Sequence, residues 1–243
     1  MSRHITLRVA TYNIHRSRGL DRRTDPARIA EVVASLEADV IALQEVIGPG
    51  PEGMGQAEEI AALLGMTPVM APVRLLRGRP YGNAIIGRFP VCGHHRHDLT
   101  WRGREARGCQ RVDLQVGKGI LHVYNVHLGT ALLERRAQAV HLARILDAPN
   151  EGEPCVMLGD FNEWLRGPAT RVLTERLSSL DLRGFLKRRR TYPGVLPFLH
   201  LDHIYYRGDV EMLGADLKRT RKALMASDHL PLIADLKIGF GPA

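Results

Sequence analysis

Cys155-Val156-Met157-Leu158-Gly159-Asp160-Phe161-Asn162 puts the signature of a buried strand and a polar terminus into one short stretch. An apolar run of this length bounded by glycine reads as a strand inside a packed sheet. Two residues apart on an extended segment, Asp160 and Asn162 point the same way, and Gly159 lets another backbone come close. A simple Asx turn is the alternative reading of that pair.

The same arrangement recurs along the chain. Val40-Ile41-Ala42-Leu43 is a continuous apolar run, as expected of a strand covered on both faces, and it ends at Gln44-Glu45. An unpaired carboxylate there is costly if buried and better placed as a ligand for a hard cation; a surface charge in a turn is the alternative. Residues 5–14 alternate apolar and polar positions at Ile5, Leu7 and Val9, delivering Asn13 at the strand's end. Near the C-terminus, Ser227-Asp228-His229 places a carboxylate beside an imidazole, the side chain suited to moving protons near neutrality. Strand ends are where polar groups leave a sheet and converge, so this spacing points to one site.

Between these strands lie helices. Asp25 reads as an N-cap with Pro26 at the first helical position, followed by Ile29, Val32, Val33 and Leu36 on one face. Ala57, Ile60, Ala61 and Leu64 form a second apolar face that Gly65 stops, and Ala139, Leu142, Ala143 and Leu146 a third. The middle is richer in strands: residues 83–87, then 111–116 paired with 120–128 through Gly117-Lys118-Gly119. A short helix after Pro168 and strands at 201–206 and 230–236 complete the chain. Early alternation followed by hairpins argues against a Rossmann or barrel order. It favours an α/β (α+β) four-layered sandwich of two packed mixed β-sheets flanked by helices, in one domain over residues 1–243.

Composition is that of an ordinary globular chain, with 44% hydrophobic and 25% charged residues. The formal net charge of +8 favours an anionic partner: nucleic acid, a phospholipid surface or a phosphorylated small molecule. Arginine outnumbers lysine, which suits bidentate phosphate contact, although an arginine-rich genome produces the same imbalance. Cys92, Cys109 and Cys155 show no metal-ligand spacing and form an odd set, which fits a reducing compartment. No apolar stretch reaches the length of a membrane span and residues 1–20 lack a signal-peptide core, so the expected location is the cytoplasm.

Three further residues stand out. Asp202 opens an apolar aromatic strand, where it either orients an imidazole or caps a strand end, and His127 ends another strand on the same side or packs as a core histidine. Arg107 either reaches a phosphate or forms a surface ion pair. His94, His95 and His97 read as belonging to a solvated strand or loop.

The series Thr11-Tyr12-Asn13-Ile14, Leu43-Gln44-Glu45, Asn125-Val126-His127-Leu128, Gly159-Asp160-Phe161-Asn162, Leu201-Asp202-His203-Ile204 and Ser227-Asp228-His229-Leu230-Pro231 resembles, in order, the motifs of the endonuclease/exonuclease/phosphatase superfamily. The resemblance implies a DNase-I-like fold and a metal-dependent phosphoester hydrolase. It implies that Glu45 is the principal Mg²⁺ ligand, with Asn13 and Asp228 at the metal directly or through water; oxygen and imidazole ligands accept Mn²⁺ as well. Asp160 and Asn162 would hold the attacking water or a phosphate oxygen. His229, oriented by Asp202, would act as general base or phosphate stabiliser, and His127 would contact the phosphate or assist the leaving group. Thr191-Tyr192-Pro193 resembles a substrate-side loop, which makes Tyr192 a substrate-binding candidate.

Basic residues fall in connecting stretches: Arg16, Arg18, Arg22 and Arg23; Arg74, Arg77 and Arg79; Arg102, Arg104 and Arg107; and Lys187 to Arg190. As a rim around the site they favour nucleic acid as substrate, with affinity falling as salt rises. A phospholipid or small-molecule phosphoesterase is the alternative, and the Asn125-x-His127-Leu128 form is at least as close to that branch. The chain also lacks the Asn-Gly and Leu-Asp-Tyr forms associated with abasic-site nucleases. A non-catalytic binding module is the third reading, disfavoured because every expected ligand is present. Oligomeric state is left open.

Overall fold

The structure is a computed structural model that describes residues 3–51, 53–147, 153–179, 190–194 and 196–240. Strand β1 (Arg3–Asn13) is followed by a 3-10 turn at His15–Ser17, helix α1 (Pro26–Ala34), β2 (Val40–Ile47), α2 (Gln56–Leu64), β3 (Thr67–Leu76) and β4 (Arg79–Gly87). Next come β5 (Val91–Asp98), β6 (Gly108–Val116), β7 (Gly119–His127), α3 (Leu132–Leu146), β8 (Cys155–Asp160), α4 (Pro168–Thr174) and β9 (Ser178–Ser179). The chain closes with β10 (Asp202–Arg207), β11 (Val210–Leu217), α5 (Arg221–Ala226) and β12 (Leu232–Phe240).

These strands form two six-stranded mixed sheets, in the orders β11-β12-β1-β2-β4-β3 and β5-β6-β7-β8-β10-β9. Each has one parallel pair at its centre, β1 with β2 and β7 with β8, and both pairs carry motif residues at their C-terminal ends. The side-chain alternation of each central strand divides its apolar residues between two cores. On β1, Leu7 and Val9 face the opposite sheet while Ala10 and Tyr12 face α1, α2 and α5; on β8, Val156 and Leu158 face the opposite sheet while Cys155 and Met157 face α3 and α4. Three apolar layers therefore separate four layers of structure, as the sequence led us to expect.

Local signals set the element ends. Asp25 accepts a hydrogen bond from the Arg28 amide at 2.9 Å, with Pro26 in the first turn, and Gly65 closes α2 in the left-handed region at φ 64°. Several strands run beyond the expected bounds: β2 continues past Leu43 to Ile47, β8 past Leu158 to Asp160, and β12 starts at Leu232 and runs to Phe240. The edge strand β5 holds His94, His95 and His97 on a largely exposed surface. In the basic stretch at 187–190, only Arg190 lies within the described residues, and it is exposed. No helix among the described residues is long and apolar enough to cross a membrane.

Candidate active site

The site forms where β1, β2, β7 and β8 end together and β10 begins. The two parallel pairs set this directly: Asn13 stands opposite Gln44, and His127 opposite Asp160, which in turn pairs with Asp202. At this end the apolar core between the sheets gives way to a buried polar brace. Gln44 donates to Thr11 Oγ1 at 3.1 Å and to Asn125 Oδ1 at 2.8 Å. Asn125 donates to the carbonyls of Leu43 and Ala84, both at 2.9 Å. Asn83 donates across to the carbonyls of Gly108 and Asn125, each at 3.3 Å. Every one of these residues is buried, so the bonds fix the separation of the two sheets at the site.

Above this brace, Asp160 is the meeting point. Its Oδ2 accepts from Asn13 Nδ2 at 3.1 Å and lies 3.6 Å from His229 Nε2 and 3.7 Å from His127 Nε2. Its Oδ1 accepts from the Asn162 amide at 2.9 Å, and Asn162, at φ 50°, donates its side chain to the Leu128 carbonyl at 2.9 Å. The Asx turn is therefore the geometry found: β8 ends at Asp160 and the backbone at Asn162 is left-handed, so the two residues do not share the extended segment expected of them. Gly159 is required here: at φ 150° a Cβ would sit 1.9 Å from the Val126 carbonyl oxygen.

Glu45 reaches the site through a bulge. The register of β2 against β4 shifts between Leu43 and Val46, and Glu45 sits there at φ 58°. It does not end the strand as expected; the bulge turns its side chain toward the strand ends. Asn13 Nδ2 lies 3.4 Å from its Oε1, and Arg16 Nε is 3.7 Å from its Oε2. Asp228 is held from the other side. Ser227 donates from Oγ to the Asn13 carbonyl at 2.7 Å, and His15 Nδ1 lies 3.7 Å from Asp228 Oδ1. His15, Ser227 and the brace residues Gln44, Asn83, Asn125 and Thr11 were given no role by sequence reasoning. The advance signal of the brace residues is a polar side chain inside an otherwise apolar strand; His15, in the 3-10 turn, and Ser227, at the end of α5, have none of that kind.

Electrostatics separates the two imidazoles. Burial opposes charge on His229, but Asp202, whose Oδ2 is 3.0 Å from Nδ1, together with Asp160 and Asp228, outweighs it and raises the pKa. His127 moves the other way: burial first, then the charges of Arg107 and His229, hold it well below the usual value. Burial also raises Asp160, aided by Asp202 and opposed by His229 and by its hydrogen bonds to Asn13 and Asn162. At neutral pH the site holds a charged imidazole, a neutral imidazole and a carboxylate of increased basicity.

The two substrate-binding candidates sit on its walls. The Tyr192 ring lies 4.9 Å from that of His229, and its phenol is raised by burial and by the charges of Asp228, Asp160 and Glu45. Arg107, 8% exposed, forms the ion pair of the second reading, its Nη2 lying 3.0 Å from Glu105 Oε2, and it lines a small cleft with Tyr81, Asn83 and His127.

Among the described residues no three acidic, histidine or cysteine side chains are drawn close enough to chelate an ion by themselves. The donor chemistry nonetheless fits Mg²⁺, which keeps several waters and takes one or two carboxylates. Glu45 and Asp228 would supply those carboxylates from either side of Asn13, whose amide oxygen accepts from the His15 amide at 3.0 Å while its Nδ2 faces Glu45 and Asp160.

The model of the endonuclease/exonuclease/phosphatase family matches residues 10–229. The chain is 30% identical to the uncharacterized protein YbhP of Escherichia coli over 98% of both chains. Its structure resembles an endonuclease/exonuclease/phosphatase from Beutenbergia cavernae with a TM-score of 0.80 and 23% identity, over 98% of this chain and 73% of the other. It also resembles a mannosyl-6-phosphatase from Bacteroides thetaiotaomicron with a TM-score of 0.76 and 17% identity, over 95% of this chain and 99% of the other.

Proposed function

The chain belongs to the endonuclease/exonuclease/phosphatase family, and on that premise we propose that it hydrolyses phosphodiesters by attack of an activated water, with a divalent cation as cofactor. The observation that carries this reading is the convergence of Asp160, His127 and the His229–Asp202 pair, with the pKa values of the two imidazoles pushed in opposite directions.

Asp160, with increased basicity and fixed by the Asn162 amide and Asn13, takes the proton from the attacking water; as the water oxygen bonds to phosphorus the P–O bond to the alcohol breaks, and the departing oxygen takes up a proton from solvent. Asn162, turned by its left-handed backbone, helps to position that water. His229, kept charged by Asp202, donates from Nε2 to a phosphoryl oxygen as charge accumulates there. His127 offers a neutral ring to the phosphate beside Arg107 and Tyr192. Glu45, Asn13 and Asp228 would hold Mg²⁺ or Mn²⁺, which when bound supplies neutralisation of charge on the phosphoryl group.

Nucleic acid is the substrate favoured by the net charge of +8, by Arg16, Arg18, Arg22 and Arg23 in the stretch that follows β1, and by Arg107 beside His127. A second reading, a phospholipid headgroup, is favoured by large apolar side chains exposed around the same end. The deciding experiment assays bis(p-nitrophenyl) phosphate, single-stranded and plasmid DNA, phosphatidylglycerol vesicles and a sugar phosphate with Mg²⁺, Mn²⁺ or EDTA. Metal-dependent turnover of a diester is expected; no turnover of any ester with either metal overturns the proposal.

A further inference from the structure

Six of the large apolar side chains exposed among the described residues, Leu132, Leu133, Trp164, Leu165, Leu196 and Phe198, are between 49% and 77% exposed. All six lie on three segments that meet at the catalytic end of the second sheet. Leu132 and Leu133 open α3 just after β7, Trp164 and Leu165 follow β8, and Leu196 and Phe198 lie on the loop that leads into β10. The segments are tied together: Arg135 lies 5.6 Å from the Trp164 ring centroid, the Phe161 amide donates to the Leu201 carbonyl at 2.9 Å, and Phe161 stacks edge-on against His203. The last loop also carries Tyr192, which packs on His229.

Charge on these segments is one-sided. The only acids they contain, Glu134 and Glu163, are both 3% exposed, and Glu163 is used up by the Ala169 and Thr170 amides. Their exposed charges are Arg136, Arg166 and Arg190. Apolar side chains at the tip, cations beside them and no exposed acid among the described residues of these three segments form the combination that seats a protein in the headgroup region of an anionic bilayer.

We infer that this rim docks the catalytic end onto an anionic phospholipid surface, delivering a lipid headgroup phosphodiester to Asp160 and His229. The inference rests on the second substrate reading above and specifies the surface that would serve it.

The test is co-sedimentation of the full chain with vesicles of phosphatidylcholine alone or mixed with phosphatidylglycerol. Binding only to the mixed vesicles is expected. W164S/L165S and L196S/F198S should each weaken it about tenfold or more, and R136Q/R166Q should remove the preference for phosphatidylglycerol. In a W101F background, Trp164 emission should shift to the blue when the mixed vesicles are added. Hydrolysis of soluble bis(p-nitrophenyl) phosphate by W164S/L165S should match the unmodified chain, which separates docking from misfolding. Equal sedimentation of all variants, an unshifted emission, or loss of single-stranded DNA binding in place of vesicle binding overturns the inference. Soluble-ester hydrolysis without vesicle binding overturns docking alone; vesicle binding without hydrolysis supports docking and overturns the hydrolase reading.

Discussion

Nδ1 of His229 lies 3.0 Å from Oδ2 of Asp202, a carboxylate that solvent does not reach. The pair fixes which way the ring faces and favours its charged form, leaving Nε2 3.6 Å from Asp160 Oδ2. Asp202→Asn keeps the shape and removes the charge. Turnover of bis(p-nitrophenyl) phosphate should fall about 10²- to 10⁴-fold, with a much smaller change in KM. An unchanged kcat would remove His229 from the mechanism.

The same pair makes stability depend on pH in the metal-free protein. The folded pKa of His229 is raised above its unfolded value, so its stabilisation is complete below about pH 6.5 and declines as pH rises through the folded value. The stability difference between the unmodified chain and Asp202→Asn should therefore be largest near pH 6 and shrink toward alkaline pH. Urea unfolding across that range reads it directly; a difference that grows with pH contradicts the sign.

Glu45 tests the cation. Glu45→Ala, or addition of EDTA, should reduce hydrolysis at least about a hundredfold while leaving the far-UV circular dichroism unchanged. Mg²⁺ or Mn²⁺ should restore the EDTA-treated protein but not the variant. Full activity in EDTA would sink the cofactor assignment.

Asn125 tests the brace between the sheets. Asn125→Ala deletes two bonds to strand carbonyls and the one it accepts from the Gln44 amide, for an expected loss of about 2–4 kcal/mol in urea unfolding. Asn125 itself makes no contact with Asp160 or His229 in the hydrogen-bond network, so activity should fall through stability and recover on cooling.

Gly159→Ala should be the most damaging single methyl. The added carbon meets the Val126 carbonyl at 1.9 Å on a backbone at φ 150°, and neither neighbour is free to move. Soluble yield and melting temperature should both drop sharply; a variant that melts like the unmodified chain would show that this crossing is softer than it looks.

The strands that bear chemistry were legible because their apolar runs are buried on both sides and stop at a polar residue, as Leu158 does before Asp160 and Leu43 before Glu45. Strand β5 was not: in the edge sequence from Val91 to Asp98 nearly every side chain faces water, so no alternation marks it. The Glu45 bulge was also invisible, because a left-handed backbone at a glutamate is imposed by the pairing of β2 with β4 and not by any local preference. Asn125 and Gln44 were quoted as motif letters, yet their role as a cross-sheet brace depends on contacts 81 residues apart in the chain. The exposed apolar side chains had no period to announce them, since Leu132, Trp164 and Phe198 lie on three separate segments that follow β7, follow β8 and precede β10.

The chain passes from one sheet to the other between β4 and β5 and returns between β10 and β11, while Asn13 and Asp160 clasp across the divide at 3.1 Å. Neither half is a smaller enzyme. Cutting between Gly87 and Val91 would strand Glu45 on one fragment and both imidazoles on the other, so a split version would regain catalysis only when its pieces reunite, making turnover itself a reporter of their reassembly.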